Sequence, residues 1–250
     1  MVLFLLVFYP KILNHTLSPS NISNSNFSNP FNNLNLEAKA VLVFDLAKNE
    51  PIFELNSNTQ LPLASLTKIM TVVVAEENLP PEEKNKISAD VDEALSSSLN
   101  KSASNIAAVT GDFTKENFID LMNKKAEELN LNQTYFLNET GLDISKELSG
   151  AYGSANDVVK LISYALKNNP DLFEATTNNS SLNTNPYAST TTLLIASKTG
   201  LTDLAGGNLA VVFDAGFNHP IISVVLGSSE EGRFLDTQKL IEITFKYLTK

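Results

Sequence analysis

Ser65 to Glu77 reads SLTKIMTVVVAEE, and this stretch decides the fold. After its first turn it is apolar almost all the way round, whereas a surface helix carries one apolar stripe and one polar face. We therefore predict a helix inside a domain. The stretch begins with Ser65-Leu66-Thr67-Lys68, and side chains three residues apart are neighbours on a helix. The amine of Lys68 can thus reach the oxygen of Ser65.

Short runs of β-branched and aromatic residues flank this helix on both sides along the chain. Before it, Ala40 to Asp45 and Ile52 to Leu55 predict a hairpin. After it, the corresponding runs are Leu193 to Lys198, Leu209 to Asp214 and Ile221 to Gly227. The economical arrangement is an α+β fold, with an antiparallel sheet built from N- and C-terminal strands, flanked by helices around an all-helical middle region.

Three further helices follow from periodicity. Apolar residues recur at helical spacing from Phe118 to Leu129, and again from Val158 to Leu166 behind a Ser154-x-x-Asp157 capping signature. A closing helix is expected from about Arg233 to Tyr247.

The amino end differs in composition from the rest. Residues 1–13 contain the apolar run MVLFLLVFY, shorter than the roughly 20 residues that span a bilayer, and we interpret them as a truncated signal segment or anchor. The alternatives are a buried strand or an artefact of the assigned start. Residues 14–36 are rich in Asn and Ser and are expected to form a flexible tether. The folded domain would span residues 37–250, outside the cytoplasmic membrane.

Composition excludes several functions. The net charge is −10 with scattered Lys and Arg residues, which argues against nucleic-acid binding. Cysteine is absent, so thiol catalysis and cysteine zinc sites are excluded. The two histidines, His15 and His219, do not look like buried bases oriented by a carboxylate, which argues against a Ser/His/Asp triad. We expect no metal and no cofactor.

The lysine of Ser-x-x-Lys can act as a base only when it is uncharged. Burial and a second nearby cation both lower a lysine pKa. The apolar helix supplies the burial, and Lys198 is the candidate for the second cation. The start of the helix also offers free backbone N–H groups to a developing oxyanion.

Ser-x-x-Lys occurs twice, so it is weak evidence alone. The second copy, Ser98-Leu99-Asn100-Lys101, lies in a polar stretch with no apolar helix behind it, and we interpret it as a chance match. The discriminating motif is Lys198-Thr199-Gly200 at the end of an apolar strand. There Lys198 and Thr199 can face a cleft, and Gly200 lets a substrate backbone lie close. The joint occurrence of both motifs in this order indicates a shared catalytic site.

From about Ala38 to Tyr247, the chain resembles the low-molecular-mass penicillin-binding proteins, which are serine-type D-Ala-D-Ala carboxypeptidases with a β-lactamase/transpeptidase-like fold. The sequence shared with this family extends beyond the catalytic motifs. It includes TYFLNETGLD at residues 134–143, KTGLT at 198–202 leading into AGG at 205–207, and VVLGS at 224–228.

The resemblance implies a mechanism. Ser65 would attack the carbonyl between two D-alanines of a peptidoglycan stem peptide, Lys68 would take its proton, and water would hydrolyse the acyl-enzyme. Backbone N–H groups of Ser65 and Leu201 would form the oxyanion hole. Lys198 and Thr199 would hold the terminal carboxylate through charge-assisted hydrogen bonds. β-Lactam antibiotics would be covalent inhibitors.

The third motif of the family, Ser-x-Asn, helps to pass the proton to the leaving amine. Aligning Asn105 and the following alanines with the family leaves Ala103 in the place of the motif serine. A one-residue adjustment makes Ser102 the relay, with Ser104 as a weaker substitute. Losing a positioned relay costs about 10² to 10⁴ in rate, so we expect β-lactam acylation to survive while peptide turnover is in doubt.

Two other functional hypotheses compete with the carboxypeptidase hypothesis. A catalytically impaired penicillin-binding or wall-binding module of the same fold is supported by Ala103. A class A β-lactamase ranks lower, because Ala126 stands where that class needs a glutamate in Ala126-Glu127-Glu128-Leu129-Asn130.

Overall fold

The computed structural model describes residues 29–177, 182–188, 190 and 193–249. The strands are β1 (Ala40–Asp45), β2 (Glu50–Leu55), β3 (Leu61–Pro62), β4 (Tyr135–Phe136), β5 (Ala151–Gly153), β6 (Leu194–Thr202), β7 (Gly206–Asp214) and β8 (Pro220–Ser228). The α-helices are α1 (Thr67–Asn78), α2 (Pro81–Asp92), α3 (Asn100–Thr114), α4 (Phe118–Glu128), α5 (Ala155–Asn168) and α6 (Gly232–Leu248). The predicted leader and residues 14–28 of the predicted tether lie outside the described residues.

The main sheet is antiparallel and joins both ends of the described chain. Its strand order is β2-β1-β8-β7-β6, so the N-terminal hairpin pairs with the C-terminal strands through β1 and β8. The short strands β3, β5 and β4 form a second sheet. This architecture confirms the predicted α+β fold and the origin of the strands in the main sheet, although β4 and β5 interrupt the middle region that was expected to be all helical.

Helices cover both faces of the main sheet, which explains why its central strands are apolar on both sides. Along β1, Ala40 and Leu42 face the core shared with α1 to α5, whereas Val41 and Val43 face the core under α6. Residues 67–75 of α1 are all buried, as expected of an interior helix. This burial sets the environment of Lys68.

The folded part begins earlier than predicted, because Pro30–Asn33 form a 3₁₀ turn against the domain. Phe31 is 3% exposed, stacks on Phe53 at 4.9 Å between ring centroids and meets Tyr247 edge-on. A single aromatic side chain carries enough apolar area to anchor a polar segment. Residues 29–36 therefore belong to the domain and not to a tether.

The middle region contains two helices that the sequence reasoning missed. α2 begins with proline and acidic residues, both favoured in a first turn. α3 buries only a few small or polar side chains besides Ile106, so its apolar pattern is weak. The polar stretch after Ser98, where no apolar helix was expected, therefore forms a largely polar helix that begins at Asn100.

Candidate active site

Ser65 lies in a 3₁₀ turn, Ala64–Leu66, that leads directly into α1. Ala64 has φ +48°, a conformation uncommon for a residue with a Cβ. Two glycines leave room for this turn. A Cβ on Gly141 would lie 1.9 Å from the Ala64 carbonyl oxygen, and one on Gly200 would lie 3.0 Å from that of Leu63. Gly200 therefore admits the turn that carries Ser65, a packing role that the sequence did not reveal.

Asn208 on β7 fixes the same turn to the sheet. Its side-chain amide donates to the carbonyl oxygens of Pro62 and Leu63 at 3.0 and 3.1 Å, and its Oδ1 accepts from the N–H of Gly227 at 2.8 Å. Because Asn208 is fully buried, these hydrogen bonds stabilise one position of the turn. Ser65 itself is half-buried and therefore accessible.

Lys68 is fully buried and its Nζ touches three oxygens. It donates to Ser65 Oγ at 2.8 Å, to Asn100 Oδ1 at 2.9 Å and to the Thr140 carbonyl oxygen at 2.9 Å. The pKa of Lys68 falls from 10.5 to about 8, because burial lowers it by more than the charge of Glu139 raises it. When the amine is neutral, Asn100 and Thr140 can still accept its two protons, which leaves the nitrogen lone pair for Ser65.

Lys198 on β6 is almost fully buried and is close enough to Lys68 for their charges to interact. Its Nζ donates to Ser98 Oγ at 2.8 Å and to the Thr199 carbonyl oxygen at 3.0 Å. Burial first, and then repulsion from Lys68 and Arg233, hold the pKa of Lys198 well below its usual range. The expected repulsion between the two lysines is therefore present, and burial is the largest cause of the lowered pKa of each.

Ser102 and Asn105 do not join this cluster, so their predicted place in the site is wrong. Ser102 Oγ donates to Glu93 at 2.7 Å, and Asn105 Nδ2 donates to Asp90 at 2.6 Å. Helix geometry explains the error, because residues two and five positions after Asn100 point about 200° and 140° away from it around the axis.

The Ser-x-Asn residues that reach the lysines are Ser98 and Asn100, in the segment interpreted as a chance match. Ser98 has φ +59° after a π-helical turn, Glu93–Ser97, and accepts from Lys198, while Asn100 begins α3 and accepts from Lys68. Ser98-Leu99-Asn100 is itself Ser-x-Asn, and anchoring the alignment on Asn105 concealed it. A missing serine is therefore no longer a ground for expecting slow turnover.

Beyond Lys198, β6 contacts two residues for which the sequence gave no spacing signal, Thr184 and Arg233. Thr199 Oγ1 lies 2.5 Å from Thr184 Oγ1, and the Thr184 N–H donates to the Ser96 carbonyl oxygen at 3.0 Å. Arg233 on α6 is buried and donates to the Gly200 carbonyl oxygen at 2.8 Å. Leu201, the next residue on β6, is exposed. Three basic side chains, those of Lys68, Lys198 and Arg233, thus lie close together at this site, although the net charge of the protein is −10.

His219 does contact a buried carboxylate, contrary to expectation, with its Nε2 2.7 Å from Asp45 Oδ2. It lies beside Pro220, which pairs with Asp214 at the far end of β7, whereas the serine turn is held at Asn208 near the other end. His219 is therefore remote from Ser65. Within the described ranges, no three or more His, Asp or Glu side chains gather as a metal site would require.

A cavity of about 520 Å³ lies outside this cleft, between β7, α6 and the chain near Tyr187. None of Ser65, Lys68, Ser98 or Lys198 lines it. The chemistry of the cluster therefore does not extend into this cavity.

Known proteins resemble this chain in sequence and structure. It is 29% identical over 157 residues to the D-alanyl-D-alanine carboxypeptidase DacF of Bacillus subtilis, covering 51% of this chain and 40% of DacF. It is 27% identical over 242 residues to the D-alanyl-D-alanine endopeptidase of Escherichia coli, covering 80% of this chain and 75% of that protein. The ampicillin-bound crystal structure of penicillin-binding protein D2 from Listeria monocytogenes superposes with a TM-score of 0.74 at 25% identity, covering 85% of this chain and 99% of that one.

The family profile of D-alanyl-D-alanine carboxypeptidase matches residues 87–230, more than half of the chain. The matched range begins after Ser65 and Lys68 and contains Ser98, Asn100 and Lys198. The fold, the relatives and the profile agree with the resemblance that the motifs indicated. The chain belongs to the D-alanyl-D-alanine carboxypeptidase family.

Proposed function

We propose that this protein is a serine-type D-Ala-D-Ala carboxypeptidase that removes the terminal D-alanine from peptidoglycan stem peptides through an acyl-enzyme on Ser65. The observation that carries the proposal is the buried Lys68 amine 2.8 Å from Ser65 Oγ. A nucleophilic hydroxyl needs an adjacent base, and a desolvated lysine can serve as one near neutral pH.

Acylation begins with neutral Lys68 taking the proton of Ser65 as its oxygen attacks the carbonyl between the two D-alanines. Backbone N–H groups of Ser65 and Leu201 would bind the oxyanion. The terminal carboxylate of the substrate would lie against Lys198 and Thr199. Bringing this anion to Lys198 favours the charged ammonium, which burial alone disfavours.

Collapse of the tetrahedral intermediate requires a proton on the leaving amine of D-alanine. Ser98 is suited to relay it: its hydroxyl proton passes to the substrate nitrogen while its oxygen takes a proton from the Lys198 ammonium, which donates to it. Breaking the C–N bond releases D-alanine and leaves the ester on Ser65. Water then attacks the ester, a general base takes the proton of the water, and Ser65 Oγ regains a proton.

The proposed setting is outside the cytoplasmic membrane, where peptidoglycan stem peptides are the substrates and β-lactams are covalent inhibitors. The ampicillin-bound relative and the family profile support this setting, as does the apolar run at residues 1–9 as an N-terminal membrane attachment. Across the part of the chain that the structure describes, no helix has the length and apolarity to cross a membrane.

An endopeptidase is the second candidate, because the E. coli relative that covers 80% of this chain bears that name. Both activities would use the same nucleophile and differ in which D-alanyl bond enters the cleft. Parallel incubation with a pentapeptide mimic and a cross-linked peptide dimer separates them, because a carboxypeptidase releases free D-alanine whereas an endopeptidase releases two peptides.

The direct test is D-alanine release from a peptide that ends in D-Ala-D-Ala, with Ser65→Ala as the control. We expect release by the unmodified protein and none by the variant, because the acyl-enzyme cannot form without the hydroxyl. Labelling by fluorescent penicillin without D-alanine release and without cleavage of the peptide dimer would favour the impaired module. Rapid hydrolysis of the penicillin would favour a β-lactamase.

A further inference from the structure

We propose that Glu139 is a positioning residue that sets the protonation state of the base Lys68, with Ser104 holding its carboxylate in place. The inference rests on the proposed function, in which Lys68 activates Ser65. Neither Glu139 nor Ser104 contacts the reacting atoms. Their effect would be exerted through Lys68 alone.

The backbone around Glu139 is fixed beside α1. The Glu139 carbonyl oxygen accepts from Thr71 Oγ1 at 2.6 Å, and the next carbonyl, that of Thr140, accepts from Lys68 Nζ at 2.9 Å. Asn138 closes the loop by accepting from the N–H of Gly141 at 2.7 Å. Two successive carbonyls of this loop thus bind side chains three residues apart on the helix that carries the base.

The Glu139 side chain turns toward the face of α3 that reaches Lys68. Ser104 Oγ donates to Glu139 Oε1 at 2.6 Å, and Asn100 accepts from Lys68 at 2.9 Å. Residues four apart lie on the same helix face, so Asn100 and Ser104 place both contacts on one side of α3. Ser104, which the sequence offered as a weak relay, therefore has a different partner.

The carboxylate counteracts the effect of burial on the amine. Desolvation alone would move the pKa of Lys68 below about 8, and the negative charge of Glu139 raises it. Lys198 on β6 and, behind it, Arg233 on α6 carry positive charges that would act in the opposite direction. Glu139 therefore keeps the amine basic enough to accept the proton of Ser65.

The experiment measures the second-order rate of acylation by benzylpenicillin as a function of pH. Removing the charge in Glu139→Gln should move the midpoint of the rising limb to lower pH by roughly half a unit or more, because an ammonium without its counter-charge loses its proton more easily. Ser104→Ala should move it in the same direction by less, and it carries the test if the Glu139 variant does not fold.

The chain offers a matched control in a second Ser–Glu pair, whose serine, Ser102, also lies on α3. Glu93 accepts from Ser102 at 2.7 Å, whereas the carboxylate whose charge raises the pKa of Lys68 is that of Glu139. Glu93→Gln should therefore leave the midpoint unchanged. The comparison separates loss of the Glu139 charge from loss of any carboxylate bonded to α3.

Two results would overturn the inference alone. If Glu139→Gln lowers the rate equally at every pH and leaves the midpoint unchanged, Glu139 has only a structural role. Slow deacylation with an unchanged acylation midpoint would make it a base for the hydrolytic water. Failure of the unmodified protein to react at any pH would instead overturn the proposed function, and the inference with it.

Discussion

Ser98 and Ser102 are two hydroxyls four residues apart, and they provide a comparison at the scale of single residues. Ser98 accepts from Lys198, whereas Ser102 donates to Glu93. We expect Ser98→Ala to reduce D-alanine release by about 10² to 10⁴, as loss of a positioned proton relay does. We expect Ser102→Ala to stay close to the unmodified rate.

Steady-state kinetics on a D-Ala-D-Ala peptide would measure both variants, with circular dichroism as the folding control. Equal losses of activity in the two variants would contradict a specific role of Ser98 as the proton relay. A loss confined to Ser102→Ala would restore the alignment based on Asn105.

Residue-scale prediction from the sequence succeeded where the signal was local. Ser65 and Lys68 are three residues apart, so one turn of helix brings them together whatever the rest of the fold does. Ser98 was missed because its contact with Lys198 joins residues a hundred positions apart. Arg233 and Thr184 meet the cleft only through tertiary packing, and no spacing links them to its motifs.

At the scale of secondary-structure elements, the turn before α1 packs against the loop around Gly141, and together they position the nucleophile. Gly141 has φ +77°, and a Cβ there would clash with the carbonyl of Ala64. Gly216 has φ +113° but open space around it, so it serves as a matched control for backbone strain alone.

We expect Gly216→Ala to cost about 1 kcal/mol of stability, the usual scale of a strained substitution. Gly141→Ala should cost more and should also slow acylation of Ser65, because the loop must move away from the nucleophile turn. Denaturant unfolding and penicillin labelling would measure the two effects. Equal costs in both variants, with unchanged labelling, would contradict a positioning role for this loop.

Element prediction depended on the strength of the hydrophobic pattern. α5 has a clear apolar face, and its predicted cap is present, with Ser154 Oγ accepting from the Asp157 N–H at 3.1 Å. α2 and α3 present few buried apolar positions and were missed. Ser98 and Asn100, which contact the lysines, thus lie at the N-terminal end of a helix that was not predicted.

At the scale of the whole molecule, the sheet brings the two ends of the described chain together. Asp236 on α6 accepts from the backbone N–H groups of Glu37 and Ala38 at 3.0 and 2.9 Å, which ties the start of β1 to the closing helix. The sequence predicted the strands and their antiparallel pairing. Burial of Phe31 was not predictable, because it depends on contacts with Phe53 and Tyr247.

The central claim is that Ser65 is activated by an uncharged Lys68. The most direct measurement is the rate of penicillin acylation against pH, with the adduct mapped by mass spectrometry. Since burial lowers the pKa of Lys68 to about 8, the rate should rise with pH through a midpoint near 8, with the adduct on Ser65. An adduct on another residue, or a rate on Ser65 that does not change between pH 6 and pH 10, would contradict the account.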